Sequence, residues 1–217
     1  MVKATLDRGA DPNLDFQKGI SVLQTAVIDG KAEIVQLLLA AGAHPNTRSL
    51  FDTTPLYWAA TKRRLDILDM LIAAGASIAA EPERDSTSLH VAAEEGFVDV
   101  MQRLMEADGR LALDRFDYIS RTPLMCAAQN RDLAAARFLI GAGANVNAND
   151  EEKIGDSALD VAVRNGNYEM AQLLLEAGGD PLLPGWMMIT PLDRAKMLNE
   201  PERGRMVELL ERYCCGR

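Results

Sequence analysis

Cysteine, histidine and aromatic residues are all scarce in this chain, and each scarcity removes a class of function. Three cysteines in 217 residues, Cys126 and the adjacent pair Cys214 and Cys215, do not make the disulfide framework of a small secreted domain. The chain is therefore expected in a reducing, cytoplasmic setting. There are two histidines, His44 and His90, and neither has a cysteine or second histidine at metal-ligand spacing, so no metal site is expected. No apolar run approaches the roughly 18 residues of a membrane span. The segment from Met1 to Ala10 places Lys3, Asp7 and Arg8 where a signal peptide needs an apolar stretch. Glycine-rich phosphate-binding loops are missing too, which leaves nucleotides no foothold, and no cofactor is expected. Basic residues are outnumbered by acidic ones, giving a formal net charge of −9. That charge opposes nucleic acid and anionic lipid and favours a protein partner that is neutral to basic on its contact surface.

Aromatic residues make up only 5% of the chain although 48% of it is hydrophobic. The core must then be built from Ala, Leu, Ile, Val and Met, a composition that suits thin, closely packed helices. The organising stretch is Arg121-Thr122-Pro123-Leu124-Met125-Cys126-Ala127-Ala128. Thr122 can cap a helix through its side-chain oxygen, and Pro123 at the first helical position has no N–H to leave unsatisfied. Leu124 then points inward, while Ala127 and Ala128 let a neighbouring helix come close.

Copies of this stretch start at Ser21, Thr54, Thr87, Thr122, Ser157 and Thr190, with spacings of 33, 33, 35, 35 and 33 residues. After each anchor an outer helix is expected, with an apolar face such as Ile34, Val35, Leu37 and Leu38, ended by a glycine such as Gly42. Gly30, Gly96 and Gly166 fall nine residues after their anchors, at the reversal between helices, where Arg63, Arg131 and Asn199 stand in the other copies. Those three turns are expected to be strained or differently shaped, because glycine tolerates positive φ and arginine does not. In the third copy Met105 to Arg110 replaces the usual ending, predicting a longer outer helix. In the fourth, Ala148 to Ile154 reads as an enlarged, acidic surface loop.

The period, the Thr-Pro-Leu-x-x-Ala anchors and the Gly-Ala turns together resemble the ankyrin repeat, over nearly the whole chain. The resemblance implies an all-α solenoid of stacked helix-turn-helix units with projecting hairpin-like turns. It would be a single array over 1–217, with a partial unit at 1–18, five full repeats over 19–189 and a capping unit at 190–217. In that cap Met206, Val207, Leu209, Leu210 and Tyr213 should face inward and Arg203, Glu208, Glu211 and Arg212 outward. The resemblance also implies that His90 is hydrogen-bonded between neighbouring turns.

No catalytic residues are expected. Cys126 lies one residue before a packing alanine and reads as a buried, inert thiol. The acidic pair Glu94 and Glu95 lacks the aromatic-lined pocket that would raise a carboxylate pKa. The projecting turns are unusual instead, since loop tips should be polar and these carry Phe16, Leu50, Phe51, Phe116, Tyr118, Ile119, Trp186 and Met187. In ankyrin-like proteins such turns and the exposed side of the inner helices form a concave binding surface. Here that surface would add Trp58, Lys62, Glu83, Arg84, Glu94, Glu95, Arg121, Gln129, Asn130, Lys153 and Arg164. Acidic turns at Glu81 to Asp85 and Asp150 to Glu152 would steer a basic partner. The chain is accordingly expected to be a non-catalytic protein-binding scaffold, monomeric when unbound. Its specific role would be a stand-alone inhibitor or immunity-type protein for a cationic toxin or enzyme, or else a targeting or substrate-recruiting module of a larger enzyme or adaptor.

Overall fold

A computed structural model describes residues 2–14, 19–78, 81, 86–107, 109–150 and 155–214. The described residues form thirteen α-helices and no β-strand. They fall into two compact units.

The first unit comprises residues 1–92 and 99–112. Its helices are α1 (Val2–Leu6), α2 (Val22–Ile28), α3 (Ala32–Ala40), α4 (Pro55–Thr61), α5 (Leu65–Ala73), most of α6 (Ser88–Glu94), and α7 (Val98–Ala107). Inner helix α2 packs on α4, and outer helix α3 packs on α5. The second unit comprises residues 93–98 and 113–217. It contains α8 (Pro123–Gln129), α9 (Leu133–Gly141), α10 (Ala158–Arg164), α11 (Tyr168–Glu176), α12 (Pro191–Lys196) and α13 (Glu202–Cys214). Here α8, α10 and α12 pack in sequence as the inner row, and α9, α11 and α13 as the outer row.

Each anchor caps its inner helix as its chemistry requires. Ser21, Thr54, Thr87, Thr122, Ser157 and Thr190 accept from the backbone N–H three residues on, at 3.1, 3.1, 3.4, 3.3, 3.2 and 3.1 Å. The residue at that third position reaches back to the cap's own N–H in four of the six repeats. The acceptors are Gln24 Oε1 (3.0 Å), His90 Nδ1 (3.2 Å), Met125 Sδ (3.4 Å) and Asp160 Oδ2 (3.1 Å). Such reciprocal caps satisfy two otherwise orphaned donors. His90 is fully buried and also pairs with the Thr87 hydroxyl at 2.8 Å. Gln24 Nε2 donates to Thr53 O of the neighbouring turn at 2.6 Å.

Apolar packing follows the expected faces. Leu56, Leu89, Leu124 and Leu159 are all essentially buried, as are Ala59, Ala60, Ala92, Ala93, Ala127 and Ala128. In α13 Met206, Leu209 and Leu210 are buried, Val207 and Tyr213 are half-buried, and Arg203, Glu208, Glu211 and Arg212 are exposed. Helix α7 runs ten residues where α3, α5, α9 and α11 run nine, and a 3-10 turn at Gly109–Ala112 follows it. The reversals at Arg63 and Arg131 have φ of 50° and 60°, in the left-handed region that Gly96 occupies at 70°. A Cβ on Gly96 would overlap the Asp132 carboxylate, so this reversal needs both the left-handed backbone and the missing side chain. The two arginines accept the strain and use their side chains to reach the next repeat within their own unit. Arg63 pairs with Asp99 at 3.0 Å, and Arg131 Nη2 donates to Asn165 O.

A set of asparagines ties successive projecting turns together. Asn46 Nδ2 donates to Gly75 O at 2.9 Å while its Oδ1 accepts from Ser77 N at 3.0 Å. Asn13 makes the same pair with Gly42 O and His44 N, and Asn147 with Gly178 O and Asp180 N. One amide thus serves both a carbonyl and an N–H of the next turn. Replacing Asn46 with Ala should cost about 1–2 kcal/mol, the net worth of two such bonds, and Asn46→Asp, which keeps the acceptor but sets a carboxylate oxygen against the Gly75 carbonyl, should not recover that loss. Urea denaturation of the three proteins side by side checks this.

Candidate functional site

In the second unit the turns leading into the inner helices enclose a groove of about 520 Å³. Its floor is Met125 of α8 and Val161 of α10, both buried. One wall is the turn before α8, contributing Tyr118, Ile119 and Arg121. The other is Trp186, in the 3-10 turn Trp186–Met188. Gln129 and Arg164 close the end formed by the inner helices. Tyr118, Ile119 and Trp186 are 63%, 53% and 59% exposed. Large apolar side chains left in water at the mouth of a groove are what a partner would cover.

The walls are held by one buried and one half-buried carboxylate. Asp117 has a fully buried side chain and accepts from the backbone of Ile119 (3.0 Å) and Arg121 (2.8 Å), which shapes the Tyr118 turn. Its other oxygen receives Arg121 Nε at 2.9 Å, and Glu94 lies 3.6 Å from the same guanidinium. On the opposite wall Asp156 takes Arg194 Nη2 at 2.9 Å, the Trp186 N–H at 3.3 Å and Arg164 Nη1. Gly185 packs directly on this cluster. A Cβ there would lie 3.0 Å from both Asp156 Oδ1 and Asp160 Oδ2, so a larger residue would have to push these carboxylates back by a few tenths of an ångström. Met187 and Met188 follow with φ of 60° and 59°. Two exposed non-glycine residues in the left-handed region are costly, and such strain gathers at recognition sites.

Asp160, beneath Asp156, has a fully buried side chain, and its Oδ1 is 3.5 Å from Arg194 Nε. Burial raises its pKa above the ordinary carboxylate value, against the hydrogen bonds from Ser157 that favour the charged form. A raised native pKa means the ionised form is disfavoured by folding, so the penalty is absent at low pH and grows as pH rises through the native pKa. Asp160→Asn keeps an acceptor for Ser157 and removes the titration. The stability of this variant relative to wild type should therefore increase as pH rises from about 4 toward neutrality. Urea midpoints of both proteins across that range measure the trend.

Among the residues expected at the site, Tyr118, Ile119, Arg121, Gln129, Arg164 and Trp186 come together in this groove. Glu94 adjoins it through Arg121, Glu95 is exposed beside Glu94, and Met187 is exposed beside Trp186. Asn130 is exposed, but its Nδ2 donates to Glu94 O at 2.7 Å, which gives it a structural task. Phe116 is half-buried rather than a projecting tip, because its turn folds over Asp117. Leu50, Phe51, Trp58 and Lys62 belong to the first unit. Leu50, Phe51 and Lys62 are exposed, and Trp58 is half-buried, with Nε1 donating to Thr53 Oγ1 at 3.1 Å. Phe16, Glu83, Arg84 and Lys153 lie outside the described residues, as do Glu151, Glu152 and Cys215.

Two acids expected to be solvated steering charges are buried. Glu81 accepts from Thr54 Oγ1 at 3.2 Å, from Ser88 N at 2.8 Å and from the Ser88 hydroxyl. Asp150 accepts from Ser120 Oγ at 2.8 Å. Both serve as braces between a turn and a neighbouring helix start or turn, which is why they leave the surface. Cys126 is fully buried, and burial pushes its thiol up to about 12, which keeps it protonated and unreactive. Among the described residues there is no group of acids, histidines and cysteines able to hold a metal, and no helix long and apolar enough to cross a membrane.

Asp156 and Arg194 were not foreseen as site residues. Their signal was faint: Asp160 stands at the motif position otherwise held by His90, and a buried carboxylate needs a cation from somewhere.

A sequence model of the family described as Ankyrin repeats (3 copies) matches residues 1–82 and 89–184. No curated protein matches the chain. Many solved structures do. The human ASB11 ankyrin repeat domain is 22% identical, with a TM-score of 0.78 over 97% of this chain and 90% of that one. The ankyrin repeat domain of Bcl-3, a member of the IkappaB protein family, is 26% identical, with a TM-score of 0.79 over 91% and 87%. An ankyrin repeat domain from Acinetobacter baumannii AYE is 25% identical, with a TM-score of 0.77 over 88% and 97%.

Proposed function

The chain belongs to the ankyrin-repeat family, whose members bind other proteins, and we propose that it is a non-catalytic binding scaffold whose recognition site is the groove of the second unit. The observation that carries this reading is the meeting of Tyr118, Ile119 and Trp186, all exposed, around a groove whose walls are fixed from below by Asp117 and Asp156. Aromatic and arginine anchors at the centre of a patch supply most of the energy in protein interfaces. Walls that are already braced lose little freedom on docking. Leu50 and Phe51 are an exposed apolar pair of the same kind, a separate candidate contact surface within the first unit.

The experiment is a comparative capture from source cells with the wild-type chain and with Trp186→Ala and Tyr118→Ala. A protein retained by the first and lost from both variants supports the reading. A partner retained equally by all three removes the groove from it.

A finer role, as an inhibitor of a cationic toxin or enzyme, draws support from the net charge of −9. With Glu81 and Asp150 buried, steering would fall to the remaining surface carboxylates. For a basic partner the association rate should drop by roughly tenfold or more as salt is raised, while dissociation changes little. An association rate indifferent to salt removes the cationic partner and leaves protein binding intact.

A further inference from the structure

The polar surface that the groove offers an incoming chain is rich in donors, although the protein as a whole is acidic. The carboxylates that brace the walls lie underneath, Asp117 at 0% and Asp156 at 13% side-chain exposure, while the Arg164 side chain is 45% exposed. Arg121 is answered on two sides, by Asp117 beneath and Glu94 beside it. Arg164 is not matched in this way. Among the described residues only its Nη1 is engaged, and the carboxylate it uses, Asp156, is shared with Arg194 and with the Trp186 N–H. The Asp160 carboxylate behind them lies 3.5 Å from Arg194 Nε, does not line the groove, and is disfavoured as an anion by burial. The Nε and Nη2 donors of Arg164 form the edge of the guanidinium fork that takes a carboxylate through two parallel hydrogen bonds.

We propose that the groove seats an extended segment of the partner in which an aspartate or glutamate side chain engages Arg164 and a neighbouring large apolar side chain packs between Tyr118, Ile119 and Trp186. This deepens the groove reading and rests on it. Overall charge and contact chemistry act at different ranges. The acidic field governs approach, and at contact the partner meets a guanidinium set among apolar walls. A segment lacking the carboxylate would leave the donors of Arg164 desolvated and unpaired, which is the larger part of the discrimination.

The test uses the full chain and a displayed library of short random peptides, with selected sequences resynthesised with acetylated and amidated ends. Enriched peptides should share an acidic residue next to an aromatic or large aliphatic one. They should bind at least about tenfold more weakly to Arg164→Gln, with an intermediate loss for Arg164→Lys, which keeps the charge without the fork. Blocked ends should leave affinity unchanged, because a side-chain carboxylate is the ligand. Peptides that lose binding on Trp186→Ala but carry no acid, or that are indifferent to Arg164→Gln, overturn the inference and leave the groove in place. Peptides whose binding vanishes on amidation overturn it in favour of a chain terminus. Peptides insensitive to Trp186→Ala and Tyr118→Ala, or a library that yields no binder, overturn both the inference and the groove. Thermal melting of Arg164→Gln within about a degree or two of wild type, as expected for a surface position, separates lost recognition from lost fold.

Discussion

Leu124→Ala is expected to lower the unfolding free energy by about 2–5 kcal/mol, the range for deleting a core leucine whose site does not collapse. Leu124 is 1% exposed, and the alanines after it, Ala127 and Ala128, are at zero. Those alanines let α8 approach α9 and α10 closely, and helices that close cannot move in to fill a leucine-sized hole. The same helix carries Met125 on the groove floor, so the loss should also weaken recognition. By contrast Arg203→Ala should stay within about 0.5 kcal/mol of wild type, because its ion pair with Glu200 is exposed on both sides. Equal denaturation midpoints for Leu124→Ala and wild type would mean that α8 is not packed as described.

The second large effect is on binding. Trp186→Ala should weaken the partner complex by about 2 kcal/mol or more, and Tyr118→Ala by about 1–2 kcal/mol, with little change in melting temperature. Both side chains are more than half exposed in the free protein, so their removal opens no cavity. Their backbones are positioned by Asp117 and Asp156 rather than by their own packing, so the turns should keep their shape. Stability and affinity are thereby separable, which is what identifies a recognition residue. Phe51→Ala in the first unit offers a comparison, since Phe51 is equally exposed but stands outside the groove.

The parts of this molecule that were legible in its sequence are those decided locally. A hydroxyl before a helix start must find an N–H within three residues, so Ser21, Thr54, Thr87, Thr122, Ser157 and Thr190 announce six inner helices. The reversals at Arg63 and Arg131 could be marked as strained because φ is a local matter. Exposed apolar tips were legible as well, since Leu50, Tyr118, Ile119 and Trp186 stand among turn residues with no helical face to join. What stayed hidden depends on pairs far apart in the chain. Asp156 meets Trp186 and Arg194 across 30 and 38 residues. Glu81 and Asp150 look like solvated charge until the hydroxyls of Thr54, Ser88 and Ser120 are seen pointing at them. Acid in a turn therefore has two fates in this fold, and only the identity of the facing side chain separates brace from steering charge.

The measurement closest to the central claim is a calorimetric titration of the captured partner into three proteins: wild type, Trp186→Ala, and Gln172→Ala on the exposed side of outer helix α11, where Gln172 bonds only Glu176 among the described residues. The account predicts wild-type affinity for Gln172→Ala and a loss of about thirtyfold, the equivalent of about 2 kcal/mol, for Trp186→Ala. Equal affinities for Trp186→Ala and wild type, or a larger loss at Gln172, would place recognition on the outer helices and contradict it.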